Sequence, residues 1–136
     1  MAVTLSSTAN GALGSDVLIS GTLEITGALN DGTESLAVSL HNDNTGATFT
    51  APAHTYSNSQ TVTYSYANGS TMSINFNTGV WVYQRINSEV GNDKYKYVFT
   101  FTWTDSSGTQ TNVLNVETKE NIIINEFSAN ALDDLD

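Results

Sequence analysis

The chain has 136 residues, of which 13% are charged and 39% hydrophobic; the length suits one domain with a single core, and the charge content is too low for a disordered acidic tail. Fourteen acidic residues face four basic ones, a net charge of -10, which repels nucleic-acid phosphates and anionic lipid heads and attracts cations, calcium among them. There is no cysteine, so disulfides, thiolate metal sites and cysteine nucleophiles are excluded.

Neutral polar residues (Ser, Thr, Asn, Gly) must then cover most of the surface. They populate strand faces and turns and make poor helix interiors, so composition points to an all-β protein. No run approaches the roughly 18 apolar residues of a membrane helix. Neither nucleic acid nor membrane insertion is expected. The opening Met1-Ala2-Val3 reads as the start of an excised fragment, with no charged-then-apolar leader.

Residues 1–14 are small and polar and read as a lead-in or linker. "DVLISGTLEITG" places Val17, Ile19, Leu23 and Ile25 in alternation, predicting two short strands with a break at Ser20-Gly21. An acidic turn, Asn30-Asp31-Gly32-Thr33-Glu34, leads into Leu36, Val38 and Leu40, a further strand. "HNDNTG" opens like an EF-hand loop but lacks the distal glutamate, so it reads as a turn. Pro52 cannot donate to a sheet ladder and marks an edge or loop.

"QTVTYSYANGSTMSINFNTGVWVYQ" is a hairpin series: Val62, Tyr64 and Tyr66, a turn at Asn68-Gly69, then Met72, Ile74 and Phe76. A turn at Asn77-Thr78-Gly79 precedes Trp81 and Tyr83. Farther on, Tyr95, Tyr97, Phe99, Phe101 and Trp103 fall on one face of "YKYVFTFTW", and Asp105-Ser106-Ser107-Gly108 turns the chain back. About eight or nine closely spaced strands with no amphipathic helix predict a β-sandwich or barrel. Residues 119–136 read as a final strand, a short helix or the start of a linker to a further module.

The odd-numbered aromatic row matches a central strand facing an opposing sheet. The alternative is an exposed sugar-stacking platform drawn from Trp81, Tyr83, Tyr95 and Tyr97, as in a carbohydrate-binding module. The threonine pairs Thr61/Thr63 and Thr100/Thr102 read as solvent-facing strand positions rather than an ice-binding face. Asn68-Gly69-Ser70 fits a glycosylation sequon, but the hairpin turn explains both of its flanks. Neither His41 nor His54 lies in a metal or triad motif, and no Gly-x-Ser-x-Gly elbow or phosphate loop occurs, so no catalysis is expected. Asp31, Glu34, Asp93 and Asp105 are acids in turn-like segments, open to a reading as calcium ligands or as solvated turn residues.

"LNDGTESLAVSLHNDNTGATF" resembles the Asp-Gly-Ser/Thr-Glu-x-Leu element of cadherin-like and immunoglobulin-like tandem repeats in large bacterial surface adhesins of the RTX type. "YKYVFTFTWTDSSGTQTNVLNVE" resembles their penultimate strand, turn and last strand, and the likeness covers residues 15–118. It implies an immunoglobulin-like antiparallel β-sandwich and a non-enzymatic extracellular module, secreted to the bacterial cell surface and serving adhesion or biofilm formation. It also implies calcium, held at the matching positions Asp31, Glu34 and Asp105, which stiffens the fibre. The implied partners are adjacent repeats of the same polypeptide and a surface glycan or protein ligand. Asn30 stands where many such repeats carry another Asp, which lowers the ligand charge.

Overall fold

Alternation of apolar with hydroxyl-bearing residues sets nearly every strand. The structure, a computed structural model, describes residues 3–13, 18–86, 95–118 and 123–124. In chain order its strands are β1 (Thr4–Leu13), β2 (Leu18–Thr26), β3 (Ser35–Asn42), β4 (Ala47–Phe49), β5 (His54–Thr55), β6 (Thr61–Ser65), β7 (Thr71–Asn75), β8 (Val80–Gln84), β9 (Tyr95–Asp105), β10 (Gly108–Thr118) and β11 (Ile123–Ile124). No helix occurs among the described residues. One sheet runs β1-β2-β8-β7-β6 and the other β11-β10-β9-β3-β4, with β5 pairing β3 beyond the end of β4. All pairings are antiparallel. The two sheets pack face to face as a β-sandwich.

The core is the space between them. Val62, Tyr64, Met72, Ile74, Trp81 and Tyr83 point inward from the first sheet, and Leu36, Val38, Leu40, Phe99, Phe101 and Trp103 from the second; all are buried. Trp81 meets Phe99 with ring centroids 5.6 Å apart, and Tyr83 meets both Tyr97 and Phe99 at 5.1 Å. Each such side chain contributes roughly 1.5–3 kcal/mol by leaving water, and the aromatic row is among the largest buried surfaces of the core. Outward positions carry hydroxyls: Thr100, Thr102 and Thr104 of β9 lie opposite Val113, Thr111 and Thr109 of β10.

Two expectations are corrected. The expected lead-in of residues 1–14 is largely β1, a ten-residue strand paired along its length with β2. Its inward positions include Ser7 and Ala9 in place of large apolar residues, so no hydrophobic alternation announces it. Ser7 stays buried because its hydroxyl donates to Asn112 Oδ1 on β10, which closes one flank of the sandwich. The expected break at Ser20-Gly21 is also absent, since β2 runs through it. Gly21 is required there by contact: a Cβ would lie 2.1 Å from Trp81 Cζ2 and 2.3 Å from the Thr8 carbonyl oxygen. Of residues 119–136, only the β11 pair is described; it hydrogen-bonds to β10 at Val116 and Glu117.

Candidate functional site

The strand directions bring three separate segments to one end of the sandwich: the 27–34 loop before β3, the 56–60 loop after β5, and the 105–108 turn between β9 and β10. Asp31 and Asp105 are thereby neighbours, close enough that the Asp105 charge works against ionisation of Asp31.

Each of the two aspartates is committed locally. Asp31 Oδ1 accepts from the Thr33 hydroxyl at 2.6 Å and the Thr33 N–H at 3.0 Å. These bonds, the hydroxyl first, hold its carboxyl below the usual aspartate range against desolvation and, least of all, the charge of Asp105. Asp105 Oδ2 accepts from the Trp103 indole N–H at 2.9 Å, and Oδ1 from the Ser107 N–H and hydroxyl at 2.8 and 2.7 Å. The indole bond is the main reason its carboxyl is also lowered. Trp103, the last core ring of β9, therefore aims the carboxylate at the end of the sheet.

Glu34 departs from the expected ligand role. It is buried at 1% exposure, and its two carboxylate oxygens accept the backbone N–H groups of Leu29 (2.5 Å) and Asp31 (3.0 Å). Both oxygens face the inside of the loop, so its role is to fold residues 29–34. The loop also uses Asn30 in the left-handed region (φ 59°), which asparagine tolerates, and Asn30 Oδ1 accepts the Asn58 N–H at 3.3 Å. Two of the three expected ligands thus share a surface, and the third is withdrawn from it.

Among the described residues, no group of three or more His, Cys, Asp or Glu side chains is placed to hold a metal ion. The donor set does not fit a closed calcium site, which takes six to eight oxygens. The exposed Asp31 carboxylate and the half-buried Asp105 carboxylate would need backbone carbonyls and water to complete it. Asp93 lies outside the described residues.

The aromatic platform is corrected as well. Trp81 and Tyr83 are fully buried and Tyr97 is 1% exposed, because they supply the contact between the sheets. None of the three presents a ring face to a sugar. The side chain of Tyr95 lies outside the described residues. Of the histidines, His41 Nδ1 bonds the Thr48 hydroxyl at 2.7 Å on the β3–β4 hairpin, and its Nε2 lies 3.4 Å from Asp43. His54 Nε2 lies 3.0 Å from the Thr63 carbonyl oxygen.

One feature escapes sequence reading altogether. At the Asp31 end, a depression of about 320 Å³ opens between the end of β2, the 56–58 segment and the β7–β8 turn, with Glu24, Asn58 and Asn77 on its walls. No motif signals it, since its residues come from three distant segments and each reads alone as ordinary turn or strand surface. Comparison of the chain with protein-family models, with characterised proteins and with solved structures finds no match.

Proposed function

We propose that the chain is a non-enzymatic module of a bacterial surface adhesin, a spacer or ligand-binding unit in a fibre of similar immunoglobulin-like modules outside the cell. The observation that carries this reading is that the pairing of Ser35 with Thr104 puts the Asp31 loop and the Asp105 turn at one end of the sandwich, where the resemblance had matched them as separate motif positions. Calcium would be held weakly there by the two carboxylates together with loop carbonyls and water, while Glu34 shapes the loop from beneath. Bound at that end, the ion would offset negative charge at the loops and restrict those that meet a neighbouring module.

Thermal melting tests the metal. The melting temperature of the intact chain is expected to rise by several degrees on going from chelator to millimolar calcium, as ligand binding to the folded state requires. The rise is expected to vanish in the double variant Asp31→Asn/Asp105→Asn. A melting temperature indifferent to calcium in the parent chain would remove the calcium from this reading.

A further inference from the structure

The depression beside Glu24 is longer than its first cavity. It shares Glu24 and Thr78 with a second hollow, also about 320 Å³, lined by Ser6, Thr8 and Thr22 on the outer face of β1 and β2. The result is a groove running from the 56–58 segment over the β7–β8 turn and onto the first sheet. We propose that this groove binds a short hydroxyl-rich glycan, neutral or bearing a free ammonium group.

The lining selects that class. The side chains of Glu24, Asn58 and Asn77 and the hydroxyls of Ser6, Thr8 and Thr22 have no hydrogen-bond partner among the described residues. Two amides, three hydroxyls and a carboxylate supply donors and acceptors side by side, which is what a row of sugar hydroxyls requires. An apolar ligand would strand these groups without water or partners. Glu24 is the only charged residue among the described residues of the lining, so sulfated, phosphorylated and uronic-acid glycans are repelled and an ammonium is attracted. Beneath lie the rings of Tyr56 and Phe76, centroids 5.0 Å apart and 8% and 5% exposed. They offer a narrow apolar strip to a sugar's C–H edge in place of a stacking platform.

The walls are also held in advance. In the β7–β8 turn, Asn75 Oδ1 accepts from the N–H groups of Asn77 and Thr78 at 2.8 and 3.2 Å, and the Leu23 N–H donates to the Gly79 carbonyl at 2.7 Å. Gly79 sits so near β2 that a Cβ would lie 2.3 Å from the Leu23 carbonyl oxygen. Asn58 is anchored through its N–H to Asn30. The backbone that carries these side chains is therefore set before a ligand arrives, so that only the exposed side chains themselves need ordering.

This assignment deepens the reading of the chain as a binding module by naming its ligand class, and its test is independent of calcium. The isotope-labelled intact chain is titrated, at millimolar concentrations, with the trimers of N-acetylglucosamine and glucosamine, with maltotriose, with trigalacturonate and with trilysine. The expected result is that at least one neutral or ammonium-bearing saccharide shifts the side-chain amides of Asn58 and Asn77 and the backbone amide of Gly79, while trigalacturonate shifts none. Asn58→Ala/Asn77→Ala is expected to weaken binding about tenfold, as loss of a polar contact implies, with an unchanged melting temperature as the check on folding. Glu24→Gln is expected to weaken the glucosamine trimer more than the neutral ones. Silence with every saccharide, or shifts lying away from the groove, would overturn the proposal. A stronger response to trilysine than to any saccharide would overturn it too, by making protein lysines the occupant. Failure here leaves the calcium melting experiment standing, and failure of that experiment leaves the groove untouched.

Discussion

Glu34 shows how one residue type at one spacing serves either of two roles. A carboxylate three positions after Asp31 is as well placed to cap a loop as to ligate an ion, and burial decides between them. At 1% exposure, Glu34 turns into the loop and accepts two backbone N–H groups, which satisfies the polar atoms that burial takes from water. Replacing it with alanine would leave both donors without their acceptor inside the loop. Glu34→Ala is expected to destabilise the fold by about 1–3 kcal/mol, with Glu34→Gln milder because one acceptor remains. Urea denaturation of the two variants against the parent measures both, and equal stability of all three would deny Glu34 its structural role.

Among the elements, β3 depends on the opposite sheet for more than packing. Its neighbour on one side is interrupted: β4 ends at Phe49 and β5 begins at His54, with Pro52 between them. Beside and within this gap, the Leu36 and Val38 carbonyls take partners from the other sheet. Tyr64 of β6 and Tyr66, just after that strand, supply them, their hydroxyls donating to the Leu36 and Val38 carbonyls at 2.6 and 2.9 Å. Burial pushes both phenols far above the ordinary tyrosine range, so they remain donors at any working pH. His54 completes this flank, its ring edge-on to Tyr64 with centroids 4.7 Å apart. Tyr64→Phe and Tyr66→Phe each keep the ring and orphan one carbonyl, so each is expected to cost about 1–2 kcal/mol. The double variant should lose close to the sum if the bonds act independently. Chemical denaturation checks this, and unaltered stability in both single variants would mean that water replaces the hydroxyls freely.

For the whole molecule, a net charge of -10 makes acid a two-sided perturbation. Protonating carboxylates relieves general repulsion, but Asp31 and Asp105 oppose that trend because the folded state lowers both of their pKa values. A carboxylate whose pKa is lower folded than unfolded adds stability that is present above the unfolded value, near 3.9, and is lost as pH falls through the folded value. Asp31→Asn/Asp105→Asn without calcium is therefore expected to be less stable than the parent at neutral pH, with the gap closing below about pH 4. Denaturation curves across that range give the comparison, and a gap that persists in strong acid would place its origin outside these two ionisations.

The two-sheet architecture, the inward aromatic row and the turns at Asn68-Gly69, Asn77-Thr78-Gly79 and Asp105–Gly108 were all legible in the sequence by itself. Period-two alternation and turn-forming residues are local signals that burial on one face imposes directly. β1 was not legible, because its inward Ser7 draws its justification from Asn112, far along the chain. Tertiary structure alone decided that Asp31 and Asp105 share one end of the sandwich, that Glu34 turns inward, that Trp81 and Tyr83 are enclosed, and that Glu24, Asn58 and Asn77 line one groove. Each of these depends on which distant segments the strand order makes neighbours, and residue spacing along a single strand or turn carries no record of that.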